Sequence, residues 1–170
     1  MLGLSLACAG THPAPRVAWD PNADLAPPRT YAWDDRATLR PPHGDSIVDG
    51  AFLDRRIRAA AERELAAHGY TPAPAGTPPD LLVSYITGQE GVASSDEWGV
   101  YAWWAFPVYV YEGSEYEKER VLTLELRDAG HKLVWRGQVV RLEGTNPDSV
   151  GREIDRQVAE LLSRLPAPGR

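Results

Sequence analysis

Only one cysteine, Cys8, occurs among the 170 residues. A single thiol cannot form an internal disulfide, and it excludes any multi-cysteine metal site. Positive charge is also short: 18 Lys and Arg against 24 Asp and Glu leave a net charge of −6. Nucleic-acid binding draws its affinity from clustered Lys and Arg, so no nucleic-acid partner is expected. No apolar run reaches the roughly 18 residues of a membrane-spanning helix. There is no Gly-x-Ser-x-Gly, no Gly-rich phosphate loop, and no calcium-loop rhythm among Glu112, Glu115, Glu117 and Glu119. The histidines His12, His43, His68 and His131 fall at no metal-ligand spacing, so no metal or cofactor is expected.

What is present is an ordinary globular composition, 43% hydrophobic and 25% charged. The length suits one domain, and such a domain buries roughly 70% of its unfolded surface without a disulfide or metal. The first residues, Met1 to Gly10, are apolar or small, and no charge appears before Arg16. They read as the tail of a signal peptide, a full version of which carries a basic leader. Leu4-Ser5-Leu6-Ala7-Cys8 resembles the lipobox of bacterial lipoproteins, in which the cysteine sulfur receives a diacylglyceryl group. Residues 1–16 are therefore read as signal-peptide remnant, lipobox-like Cys8 and tether, and residues 17–166 as one domain. From Ala9 to Arg16 the tether spans at most roughly 26 Å. Membrane attachment of so acidic a chain would rest on covalent lipid, not on electrostatics.

Along the domain, Val17–Asp20 and Tyr31–Asp34 read as short strands separated by proline and asparagine. Leu53, Ile57, Ala61 and Leu65 recur every four residues, the stripe of an amphipathic helix, with Ser46 as its candidate cap and Gly69 as its left-handed end. Asp80–Thr87 is nearly continuous in apolar residues and reads as a central strand. Val121–Arg127 alternates, with Leu122, Leu124 and Leu126 on one face. After a turn, Lys132–Leu142 returns, with Gly137 as a candidate bulge. Asn146-Pro147 opens a last helix, whose stripe is Val150, Ile154, Val158, Leu161, Leu162 and Leu165. The expected fold is a two-layer α+β sandwich in the order β-β-α-β-β-β-α, with a mostly antiparallel sheet and two helices on one face. Trp19, Trp33 and Trp135 lie on strands and are expected in the core.

Five motifs occur in order: Val17…Asp20-Pro21…Asp24, Thr30-Tyr31-Ala32-Trp33, Ile57…Glu64-Leu65…Gly69-Tyr70, Asp80-Leu81-Leu82-Val83-Ser84-Tyr85 and Lys132-Leu133-Val134-Trp135-Arg136-Gly137. Together they resemble the DUF4136 domain, a family of uncharacterised bacterial envelope lipoproteins, over roughly residues 17–165. The resemblance implies an envelope location, here the periplasmic face of the outer membrane, and brings no catalytic residues.

Residues 88–113 hold Trp98, Tyr101, Trp103, Trp104, Phe106, Tyr109 and Tyr111, with Val108–Tyr111 a candidate strand. Trp98, Tyr101, Trp103 and Trp104 are the candidate binding surface, because aromatic rings stack on sugars, fill pockets or sit at a membrane interface. The competing reading is that the aromatics cover an open sheet face. His43-Gly44-Asp45-Ser46 has the residue types of a hydrolase triad, but sequence neighbours do not make one. The adjacent Asp34 and Asp35 would point to opposite faces of a strand. The expectation is a non-enzymatic, lipid-anchored envelope protein acting as an interaction or structural module. Its partners would be the membrane, through the lipid on Cys8, and an envelope protein. A glycan-binding module is the alternative, and a small hydrolase at His43 and Ser46 the third.

Overall fold

The computed structural model describes residues 14–27, 29–38, 50–89, 120–140 and 146–166. Among these residues, six strands and two helices follow in the order β1 (Arg16–Trp19), β2 (Arg29–Trp33), α1 (Gly50–Ala67), β3 (Tyr70–Pro72), β4 (Leu81–Gln89), β5 (Arg120–Asp128), β6 (Leu133–Val140) and α2 (Pro147–Leu162). They form one sheet in the order β1-β6-β5-β4-β2-β3 and a layer of two helices. The α+β sandwich expected from the hydrophobic patterns is the architecture observed.

Three of the sheet's pairings, β1–β6, β6–β5 and β5–β4, are antiparallel, while β4–β2 and β2–β3 are parallel. The sheet is thus mixed, and α1 supplies the crossover that the parallel β2–β3 pair requires. The observed order has one strand more than the expected one. β3 has only three residues, too few for a period to show, and it ends in Pro72, which is tolerated because β3 is an edge strand.

The alternation in β5 sets the core. Leu122, Leu124 and Leu126 lie level with Val139, Gly137 and Trp135 of β6 and with Thr87, Tyr85 and Val83 of β4. On this face they meet Leu53, Ile57, Ala61 and Leu65 of α1 and Val150, Ile154, Val158 and Leu161 of α2. Gly69, at φ 86°, ends α1 in the left-handed region, and Tyr70 turns straight back into the core. Asn146 caps α2: its side chain accepts from the Ser149 amide at 3.0 Å, and the Ser149 hydroxyl closes the reciprocal bond.

Two expectations need correction. Of the three strand tryptophans, Trp135 is fully buried and Trp33 half-buried, but Trp19 is 43% exposed because β1 is the edge strand. Gly137 is not a bulge: the register shift falls between Leu126 and Arg127. A Cβ on Gly137 would lie 2.5 Å from Cη2 of Trp135 and 2.9 Å from Cδ2 of Leu161, so the glycine makes room for an indole ring. Cys8, His43, Ser46, the candidate strand at 108–111, and Trp98, Tyr101, Trp103 and Trp104 lie outside the described residues.

Candidate functional site

The sheet face opposite the helices carries a different chemistry. The residues that alternate with the leucines of β5 are Thr123, Glu125 and Arg127. Register places Glu125 between Ser84 of β4 and Arg136 of β6, and Thr123 beside Gln138. Arg136 donates to Glu125 Oε1 through Nε at 2.9 Å and also through Nη2. Arg127 Nη2 donates to the other oxygen, Oε2, at 3.0 Å. Gln138 Nε2 donates to the Thr123 hydroxyl at 3.3 Å. Glu125, Arg136 and Ser84 are shut off from solvent, at 2%, 7% and 1% exposed, while Arg127 is half-buried.

The network continues over the β5–β6 turn. Arg127 Nη1 donates to the carbonyl of His131 at 3.1 Å, and His131 Nδ1 lies 3.7 Å from Asp34 Oδ2. His131 takes φ 64°, which a turn residue with a polar side chain tolerates better than a bulky one. Nearby, Lys132 Nζ donates to Asp20 Oδ2 at 2.7 Å, and the Asn22 amide donates to Asp20 Oδ1 at 2.8 Å. The Lys132 bond, then the Asn22 amide, hold the Asp20 carboxyl below the usual carboxylate range.

A second cluster sits where β2 ends against α1. The Arg58 guanidinium lies 4.5 Å over the Trp33 ring and donates to Asp54 at 3.0 Å and to Asp35. Trp33 Nε1 donates to Glu62 at 2.9 Å, and the Tyr85 hydroxyl to Asp54 at 2.7 Å. Trp33 and Tyr85 meet edge to face, with centroids 6.4 Å apart. Burial works against the Arg58 charge, but the hydrogen bonds to Asp54 and Asp35 outweigh it and raise its pKa above the ordinary guanidinium value.

Chemically, both clusters are built from groups that engage one another. Glu125 has each oxygen held by a guanidinium, so it anchors two arginines rather than offering a free base. Asp34 reaches toward His131 and Asp35 binds Arg58, the opposite-facing arrangement expected of adjacent strand-end residues. His68 Nδ1 sits 2.8 Å from the Glu64 carbonyl at the end of α1. Among the described residues, no three His, Cys, Asp or Glu are grouped to hold a metal, and no helix is long and apolar enough to cross a membrane. Arg58 and Glu62 were not among the residues singled out from the sequence. The Asp54–Arg58–Glu62 spacing of four was the signal that they share a helix face.

These features define the class: a two-layer α+β domain with a leucine-rich face under its helices and a paired-charge network on the other side of its sheet. The chain belongs to the DUF4136 family, whose model, a domain of unknown function, matches residues 15–167. A crystal structure of a DUF4136 family protein from Bacteroides thetaiotaomicron is similar in fold, with 17% identity, TM-score 0.51, and 88% of this chain and 94% of that one covered. A PDZ domain protein from Parabacteroides distasonis is also similar, at 12% identity and TM-score 0.49, over 86% of this chain and 34% of that one. The PelC dodecamer from Paraburkholderia phytofirmans follows at 16% identity and TM-score 0.45, over 89% of this chain and 99% of that one. No match is found among curated proteins.

Proposed function

We propose that this domain is a non-enzymatic, lipid-anchored protein of the bacterial cell envelope, held through Cys8 on the periplasmic face of the outer membrane. It acts there as an interaction or structural module. The observation that carries the reading is the position of Cys8, directly after the apolar Leu4-Ser5-Leu6-Ala7 and eight residues before the first strand residue, Arg16. Strand register supports it. Arg16 pairs with Gln138, near the end of β6, and Gln89 at the end of β4 pairs with Arg120 at the start of β5. The tether and the aromatic connection of residues 90–119 therefore join the sheet from the same end. An anchor at that end favours a role for Trp98, Tyr101, Trp103 and Trp104 in contacting the envelope. The mutual pairing of Glu125, Arg127 and Arg136 supports a structural use of the buried charges.

Radiolabelled palmitate is expected to enter the wild-type protein in bacterial cells and not Cys8→Ser. Equal labelling of the two would remove the anchor. The clustering of four aromatics within residues 98–104 favours a glycan-binding module as the second reading. Tryptophan fluorescence titrated with envelope glycans tests it, and an unchanged spectrum throughout would count against it.

A further inference from the structure

The two edges of the sheet are unlike. At one, β3 ends in Pro72, which lacks an N–H, and three further prolines, Pro74, Pro78 and Pro79, follow. At the other, β1 runs Arg16-Val17-Ala18-Trp19 without proline and displays Trp19, the exposed large hydrophobic among the described residues. The Asp20 amide donates to the Val134 carbonyl at 2.9 Å. Antiparallel ladders alternate, so Ala18 and Arg16 share that orientation toward β6, and the amides and carbonyls of Val17 and Trp19 point out of the sheet. Arg164 Nη1 donates to the outward carbonyl of Pro15 at 3.4 Å, so among the described residues the open stretch begins at Val17.

We propose that this edge pairs with a second copy of the same chain, β1 against β1, around a two-fold axis at Ala18. The sequence Arg16-Val17-Ala18-Trp19-Asp20 is complementary to its own reverse. In that register Val17 faces Trp19 of the second copy, Ala18 faces Ala18, and Arg16 faces Asp20. The outward groups of Val17 and Trp19 then form about four hydrogen bonds. Each exposed Trp19 ring packs over the opposing Val17 on the helix-bearing side, an aromatic and β-branched cross-strand pair. On the other side Arg16 stands opposite Asp20, whose buried carboxylate already pairs with Lys132. Like charges are avoided at every position, whereas in-register parallel pairing of the same strands would set Arg16 against Arg16 and Asp20 against Asp20. A contact this short falls below the roughly 1,200 Å² of a stable interface, so the dimer is a weak, concentration-driven one.

The test uses the full chain carrying Cys8→Ser, so that any disulfide reports an introduced thiol. In the proposed register residue 18 forms a non-hydrogen-bonded pair across the axis, with Cα atoms about 4.5 Å apart, within disulfide reach. Ala18→Cys is expected to give a crosslinked dimer on mild oxidation, and Thr71→Cys on the opposite edge is not. Sedimentation from about 1 µM to about 1 mM is expected to show association. Val17→Pro removes an outward amide, and Trp19→Lys removes the ring; each is expected to abolish association while circular dichroism stays native. Equal crosslinking at 18 and 71, or association that survives both substitutions, overturns the proposal. So does a monomer at every concentration with no crosslink at 18.

Discussion

Gly137→Ala tests the packing logic of the core at a single methyl group. Gly137 is level with Leu124 in the middle of the sheet, and the Trp135 ring lies across it. The added Cβ would stand 2.5 Å and 3.0 Å from two ring carbons and 2.9 Å from a Leu161 methyl, where ordinary contacts begin at 3.4 Å. The ring has nowhere to go: Trp135 and Leu161 are both fully buried, and Leu126 adjoins Trp135 in the register. Overpacking of this kind costs about 1–3 kcal/mol. The same substitution restricts the unfolded chain and favours the strand, which returns about 0.4–1 kcal/mol. The expected net loss is about 1–2 kcal/mol, or roughly 3–6 °C in Tm for a domain of this size. Thermal and urea unfolding of the two proteins measure it. With Trp135→Ala in place the ring is gone and the Leu161 methyl can shift into the space it leaves, so Gly137→Ala should then stabilise, giving a coupling of about 1–3 kcal/mol in the double-mutant cycle. A Tm equal to or above wild type for Gly137→Ala alone, or additive effects in the cycle, would refute the account.

Glu125→Ala leaves Arg136 buried without its carboxylate and is expected to cost about 3–5 kcal/mol in urea unfolding, whereas replacing Glu125 and Arg136 together by Leu and Met should be nearly neutral. Asp20 has a lowered folded pKa, so its contribution is complete above the unfolded carboxyl value and is lost as pH falls through the folded one. Asp20→Asn should therefore lower Tm at neutral pH and flatten its decline on acidification, read by calorimetry across pH about 7 to 2. Asn146→Ala removes the acceptor for the Ser149 amide and is expected to cost about 1 kcal/mol, with the loss visible as earlier thermal unfolding.

Much of the fold was legible because its helices and long strands each have one buried face. The four-residue recurrence of Leu53, Ile57, Ala61 and Leu65, and the two-residue alternation of Leu122, Leu124 and Leu126, both follow from burial against the other layer. Asn146-Pro147 and Gly69 were readable because cap chemistry is local. Pairing is not local, and it leaves little trace in a single segment. Nothing in Tyr70-Thr71-Pro72 announces that these residues lie beside Arg29-Thr30-Tyr31 in parallel. Gly137 read as a bulge because a glycine in a strand has two usual causes, and only the Trp135 ring distinguishes them. The paired-charge face was half visible. Alternation showed that Thr123, Glu125 and Arg127 share a side, but a polar side is ordinarily wet, and nothing in the alternation announces that Thr123 and Glu125 are buried.

The Glu125–Arg136 pair also bears on why the strands align as they do. A buried ion pair adds little net stability, since desolvating both charges offsets most of their attraction. Its effect on alignment is larger. A slip of one residue between β5 and β6 would oppose Glu125 to Trp135 or Gly137, positions that face the helices, and leave the carboxylate without its guanidinium. A slip of two restores the facing but sets Glu125 against Val134 or Gln138. The leucine stripe penalises only the first of these errors, because Leu122, Leu124 and Leu126 are interchangeable to within a strand repeat. The charge pair penalises both. On this argument the hydrophobic face decides which side of the sheet the helices cover, and the polar face decides the register in which the sheet closes.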